Sequence, residues 1–251
     1  MVNSEFLARL SGFYFFYRWH PEVALRYLPI VNEIKEMDKK VKILEVGSGG
    51  LGIAPYLKKQ VTGVDSLFEK PFDPLLERIK AKATKLPFES NSYDVVLTVD
   101  MLEHLEKKDR EKAIEEMFRV AKKKVIIAVP CGKKAYEQDV LLDRYYQKKR
   151  GESFHFLKEQ INFGLPDKKS MYDTIEKVAA ASGKKIRVKA QGNENLKLRM
   201  FLMKGWVSGN IISNVIFRKL FLFCIPIFRL FNQEPTYRQL FFIDIQDEDS
   251  N

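Results

Sequence analysis

The stretch VKILEVGSGGLGIAPYLKKQVTGVD, running from Val41 to Asp65, decides how the rest of the chain is read. Val41, Ile43, Leu44 and Val46 form a short β-branched and apolar run, the pattern of a strand buried on both faces. Gly47, Gly49, Gly50 and Gly52 follow it. Leu51 to Lys58 reads as a helix, and Val61 to Val64 as a second strand ending in Asp65. Glycines at that point let the backbone turn tightly and approach a ligand with no Cβ in the way. An acid at the end of the second strand can accept hydrogen bonds from two ribose hydroxyls. Strand, glycine turn, helix and acid-ended strand together predict a nucleotide-binding unit.

Downstream, Ser66 to Pro74 reads as a loop, and Leu75 to Ala83 contains a third strand. Leu86-Pro87-Phe88 leads through Glu89–Ser92 into Tyr93–Val99, a fourth strand, with Asp100 to Leu105 just past its carboxyl end. Ala113, Ile114, Met117, Phe118 and Val120 make a helical stripe between Lys108 and Ala121. Val125–Val129 is a fifth strand, Met171–Ala181 a helix, Lys185–Val188 a sixth strand and Leu240–Ile245 the last. Alternating strands and helices predict an α/β fold: a Rossmann-like, seven-stranded, mostly parallel sheet with helices on both faces. Ligands of such sheets bind at the carboxyl ends of the strands. That rule gathers Gly47–Gly52, Asp65, the 83–88 loop and the 100–104 segment into one crevice. The expected organisation is an N-terminal helical flap (1–38), a core (39–190), an apolar helical insertion (191–237) and the last strand with an acidic tail (238–251).

The 251 residues carry a formal net charge of +10, which suits an anionic partner such as phosphate, nucleic acid or an acidic membrane surface. Lys133 to Phe163 concentrates basic and aromatic residues, yet nothing beside the core resembles an RNA-binding module. Cys131 and Cys224 lie far apart and outside any CxxC, which argues against a disulfide scaffold or zinc site and fits a reducing cytoplasm. Glu5 and Arg9 interrupt the apolar residues at the start, so no secretory signal is expected. Within Ile211–Phe231, Arg218, Lys219 and Pro226 make a membrane-spanning helix costly. An interfacial helix or a cap over the crevice is expected there.

Gly47-Ser48-Gly49-Gly50-Leu51-Gly52 fits GxGxxG, which by itself permits NAD and a nicotinamide-dependent oxidoreductase. A wider set of segments points elsewhere: Glu45-Val46-Gly47-Ser48-Gly49, Val61-Thr62-Gly63-Val64-Asp65, Leu86-Pro87-Phe88 with Tyr93-Asp94-Val95-Val96, and Leu102-Glu103-His104-Leu105. In this order and spacing, over about residues 40–130, the chain resembles the class I S-adenosylmethionine-dependent methyltransferases. The nearest likeness is to the subgroup that includes ubiquinone-biosynthesis methyltransferases. The resemblance implies S-adenosylmethionine as cofactor. By it, Glu45 would meet the methionine amino group, Gly47, Ser48 and Gly49 would line the cofactor, and Asp65 would hold the ribose. Ala83 and Thr84 would sit near the adenine, with Asp100 and Met101 beside the transferred methyl. Leu51 departs from the family pattern, standing where glycine is usual. Lys82 also departs, replacing the acid that many members carry.

Transfer of a methyl group to oxygen or nitrogen needs a proton removed, and histidine suits that task near neutral pH. His20 lies in the aromatic N-terminal region and reads as structural. His104 lies at the crevice, and His155 in a segment that could fold over it; both are candidate bases. Asp100, Glu103, His104 and His155 would also suit a divalent metal such as Mg²⁺ or Mn²⁺. The aromatic and basic flanks favour a small or lipid-like acceptor, methylated on oxygen, with an anionic membrane surface as a partner. A non-catalytic membrane-associated module is the remaining alternative.

Overall fold

The computed structural model describes residues 20–38, 40–207 and 211–246. Most of the expected N-terminal flap and nearly all of the acidic tail lie outside them. Strands β1 (Ile43–Val46), β2 (Val61–Asp65), β3 (Leu76–Lys80), β4 (Tyr93–Val99), β5 (Ala121–Pro130), β6 (Ile186–Asn195) and β7 (Thr236–Ile245) form one sheet in the order β3-β2-β1-β4-β5-β7-β6. The pairings from β3 to β5 are parallel, and β7 lies antiparallel between β5 and β6. The four residues of β1 are all buried, as a central strand with covered faces requires.

On one face, helices α3 (Lys107–Val120) and α6 (Lys168–Ala181) bury Ile114, Met117, Phe118 and Ile175 against the sheet. On the other, α1 (Pro21–Lys35) buries Ala24, Tyr27, Ile30, Val31 and Ile34, spaced at three and four residues. Pro21 opens α1, where its missing N–H costs nothing. Helices α4 (Lys133–Arg150) and α5 (His155–Phe163) fill the basic aromatic segment.

Four elements differ from the expectation. The helix after the glycine turn shrinks to α2 (Ala54–Leu57), because Gly52 keeps positive φ and Lys58 is already left-handed. β5 starts four residues early, at Ala121, since pairing with β4 and β7 carries the charged Lys122–Lys124 into the ladder. β6 continues to Asn195 and β7 begins at Thr236, the two held by a long antiparallel register in which Asn195 pairs with Thr236. Between them lie α7 (Leu196–Val207), α8 (Ile211–Arg218), a 3₁₀ turn (Leu220–Leu222) and α9 (Ile225–Phe228). Among the described residues no helix is long and apolar enough to cross a membrane.

Candidate active site

The glycine turn is built on the carboxyl end of β1. Gly47 N–H donates to the Val64 carbonyl at 2.7 Å, tying the turn to β2. Gly47, Gly49 and Gly52 all adopt positive φ. A side chain on Gly47 would overlap Met101, so Met101 packs directly on the turn. A Cβ on Gly49 would instead meet open space. The Asp65 carboxylate accepts from Gly49 N–H at 2.9 Å and from Leu67 N–H at 3.2 Å. Ser48 is buried, with its hydroxyl 3.1 Å from the Gly49 carbonyl. Past β3, Ala81 N–H reaches the Asp65 carbonyl at 3.0 Å, and a tight turn between Lys82 and Lys85 carries Ala83 and Thr84. Gly47, Ser48, Gly49, Asp65, Ala83, Thr84 and Met101 are therefore grouped along one edge. Open space at Gly49, bordered by a carboxylate and a glycine backbone, fits the adenosine part of S-adenosylmethionine.

Glu45 lies beneath this edge, fully buried. Its carboxylate accepts from Tyr27 Oη at 2.8 Å and from Ile53 N–H at 2.6 Å, joining α1, the strand and the entry to α2. Burial raises its pKa to about 7 despite those two donors. Each oxygen thus accepts one hydrogen bond from the protein's own groups.

Asp100 follows β4 in a left-handed backbone conformation. Register explains what it meets: Val99 pairs with Ala128, Pro130 with Arg238, and Arg238 with Asn193, next to Glu194. Asp100, Arg238 and Glu194 therefore arrive at one level of the sheet's edge. Arg238 donates through Nη1 to Glu194 at 2.8 Å and through Nη2 to Glu22 of α1 at 2.6 Å. Arg26 shares Glu22, at 2.9 Å, and reaches Asp100 at 2.8 Å. Burial alone would raise the Glu22 pKa, but Arg26 and Arg238 outweigh it and hold the carboxyl below its ordinary range. At Glu194 burial wins over Arg238, lifting its pKa to about 7. Glu194 Oε1 and Glu103 Oε2 are buried without a hydrogen-bond partner. The Glu103 carboxyl is pushed well up, first by burial and then by Asp100.

Of the candidate bases, His104 is partly covered and His155 is mostly exposed. Glu159 of α5 links them, 2.9 Å from His104 Nδ1 and 3.2 Å from His155 Nε2. With Nδ1–H donating to Glu159, His104 Nε2 keeps its lone pair and faces the Gln160 amide at 3.4 Å. Burial lowers the His104 pKa, and the hydrogen bond to Glu159 offsets part of that fall. His20 is half-buried with both ring nitrogens covered, and that desolvation lowers its pKa to about 4. Asp100, Glu103, His104 and His155 do not converge, since arginines hold the first and Glu159 the last. Among the described residues no group of three or more His, Cys, Asp or Glu side chains is placed to hold a metal ion.

Sequence reading missed Tyr27, Arg26, Glu159, Glu194 and Arg238. Only Arg238 carried a local signal, a charge inside the otherwise strand-like TYRQLFFIDI.

Known proteins place this edge in context. Residues 44–129 match the family model described as a methyltransferase domain. Over that span the chain is similar to a methyltransferase domain. A Haemophilus influenzae protein of uncharacterised function is 38% identical over 139 residues, covering 48% of this chain and 52% of that protein. The chain thus spans about half the length of that curated relative. A chain of the complex between the Haloferax volcanii Trm112 methyltransferase activator and a methyltransferase shares the fold at a TM-score of 0.53, 12% identity, and coverage of 89% and 90%. Haemonchus contortus phosphoethanolamine N-methyltransferase 2, solved with S-adenosyl-L-methionine, has a TM-score of 0.50, 16% identity, and coverage of 88% of this chain and 52% of that one. The seven-stranded sheet with its antiparallel β7 is the fold that this chain shares with those methyltransferase structures.

Proposed function

We propose that this chain is a methyltransferase that binds S-adenosylmethionine across Gly47–Gly49 and Asp65 and methylates an oxygen of a small or lipid-like acceptor in the cytoplasm. The observation that carries the cofactor reading is the Asp65 carboxylate beside the open space at Gly49. Asp65 would hold the ribose hydroxyls, and Ala83 and Thr84 would border the adenine. Asp100 and Met101 would lie at the methionine end. Glu45 would meet the methionine amino group, directly or through water, while its hydrogen bonds to Tyr27 and Ile53 fix the turn.

When bound, S-adenosylmethionine supplies a methyl carbon made electrophilic by the sulfonium. The chain's own part is to align the acceptor, exclude water and take up a proton. His104 would accept the acceptor's hydroxyl proton at Nε2, while Glu159 steadies the resulting imidazolium at Nδ1. His155 lies exposed on the far side of Glu159, with Nε2 3.2 Å from its carboxylate.

Calorimetric titration with S-adenosylmethionine, with NAD and NADH in parallel, tests the cofactor reading. Micromolar binding that Asp65→Ala weakens at least tenfold is expected, because hydrogen bonds to a charged group contribute about 1.5–3 kcal/mol each. NAD binding instead would return the glycine pattern to an oxidoreductase. An acceptor screen over phenols and lipids follows, with oxygen and nitrogen products separated by mass.

A further inference from the structure

We infer that the outer face of the helices between β6 and β7 docks onto an anionic lipid bilayer. From Val215 to Phe231 the backbone hydrogen bonds run almost without a break: Lys219 N–H to Val215, Leu222 to Lys219, Cys224 to Phe221, Phe228 to Cys224 and Phe231 to Phe228. Two stripes result. Phe217, Phe221, Ile225 and Phe228 face inward against the cluster that holds Ala24 and Leu25 of α1. Leu220, Phe223, Ile227 and Leu230, spaced at three, four and three, are each at least half exposed. Phe201 of α7, also half exposed, stacks on Phe217 and Phe221 and extends the same surface. A segment apolar on its solvent side as well as its core side marks an interaction surface.

The charges say what covers it. Between Glu194 and Glu234 there is no acidic residue, while Lys197, Lys204, Arg218, Lys219 and Arg229 border the apolar stripe. Exposed aromatic and aliphatic side chains in a segment whose charged residues are all cations fit a surface of anionic headgroups over acyl chains. A second copy of this chain would bring the same positive charge. Residues 1–19 hold one acid, Glu5, against Arg9 and Arg18, and so supply no complementary charge. The face backs onto α1, whose Glu22 and Arg26 reach the crevice, so docking would set the crevice beside the membrane. The inference deepens the reading of a lipid-like acceptor, on which it rests for its purpose. Its test is separate, because vesicle binding needs neither cofactor nor turnover.

Flotation of the full chain with phosphatidylcholine vesicles, with and without phosphatidylglycerol, decides it. Binding is expected only where phosphatidylglycerol is present and is expected to weaken as salt rises. Lys204→Gln and Arg218→Gln should each weaken it about fivefold, and Ile227→Ser and Leu230→Ser about tenfold each. All four positions are exposed, so an unchanged thermal unfolding midpoint certifies the fold of each variant. Absence of flotation, equal flotation on both vesicle types, or flotation unaltered in all four variants would overturn the inference. A dimer in light scattering that Leu230→Ser dissolves would overturn it too, giving the face to a second copy. Flotation without any methyl transfer would leave the docking face standing and sink the lipid acceptor instead.

Discussion

Arg238 donates through Nε to both carboxylate oxygens of Asp100, at 2.7 and 2.8 Å, across 138 residues of chain. The pair sits at the carboxyl edge of the sheet, where β4 ends and β7 begins. Two further acids, Glu22 and Glu194, share the same guanidinium. Asp100 and Glu194 both hold left-handed backbone conformations there, a local cost of about 1–3 kcal/mol each that such a cluster can sustain.

Arg238→Met should therefore destabilise the protein by about 3–5 kcal/mol, since it strands buried carboxylates without their partner. Urea unfolding of the variant against the parent measures this. A loss below about 1 kcal/mol would mean that the cluster is hydrated or flexible in solution.

Glu45 makes stability fall as pH rises. Its pKa is about 7 in the folded chain against an ordinary 4.5, so the folded state binds more protons between those values. The unfolding free energy should decline across that window by about 3 kcal/mol from Glu45 alone. Glu45→Gln lowers the whole curve by disturbing Tyr27 or Ile53, but it should also remove this share of the slope. Unfolding curves from pH 5 to pH 8 separate offset from slope. An unaltered slope refutes the assignment.

The glycines of the turn should not respond alike. Gly49→Ala meets open space, so its stability cost is that of a left-handed alanine, about 1–2 kcal/mol. Its methyl would point where the cofactor is proposed to lie, and S-adenosylmethionine affinity should suffer more than stability. Gly47→Ala would overlap Met101 and should lose about 1–3 kcal/mol beyond the backbone cost. Thermal unfolding paired with calorimetry reads both effects.

His104→Gln should slow methyl transfer about a hundredfold or more if the imidazole accepts the proton. Glu159→Gln removes the partner that holds the His104 pKa up, so that pKa should drop further. The acidic limb of the pH–rate profile should then move to lower pH, with a smaller maximal rate from the weaker base. Nitrogen-detected NMR titration of His104 gives the pKa without turnover. A His104 pKa that rises in Glu159→Gln contradicts the hydrogen bond.

The parallel half of the sheet, the glycine turn and Asp65 are legible in the sequence because each rests on contacts between near neighbours in the chain. A buried strand must be apolar, a turn with positive φ favours glycine, and a βαβ unit closes within about thirty residues. Helix α3 announces itself through the spacing of Ala113, Ile114, Met117 and Phe118 for the same reason. Linked short segments also suffice to bring out the likeness to a methyltransferase domain, since their order and spacing restate that local geometry. The tertiary structure alone decides that β7 enters antiparallel between β5 and β6. From this register follow the meeting of Arg238 with Asp100 and Glu194, and the loss of Asp100 from any metal set. Packing alone, likewise, brings Tyr27 and Ile53 to the two oxygens of Glu45 and sets Glu159 between two histidines. Charges and hydroxyls carry no periodicity that names a partner; only the fold's register brings the two ends of the chain to one edge.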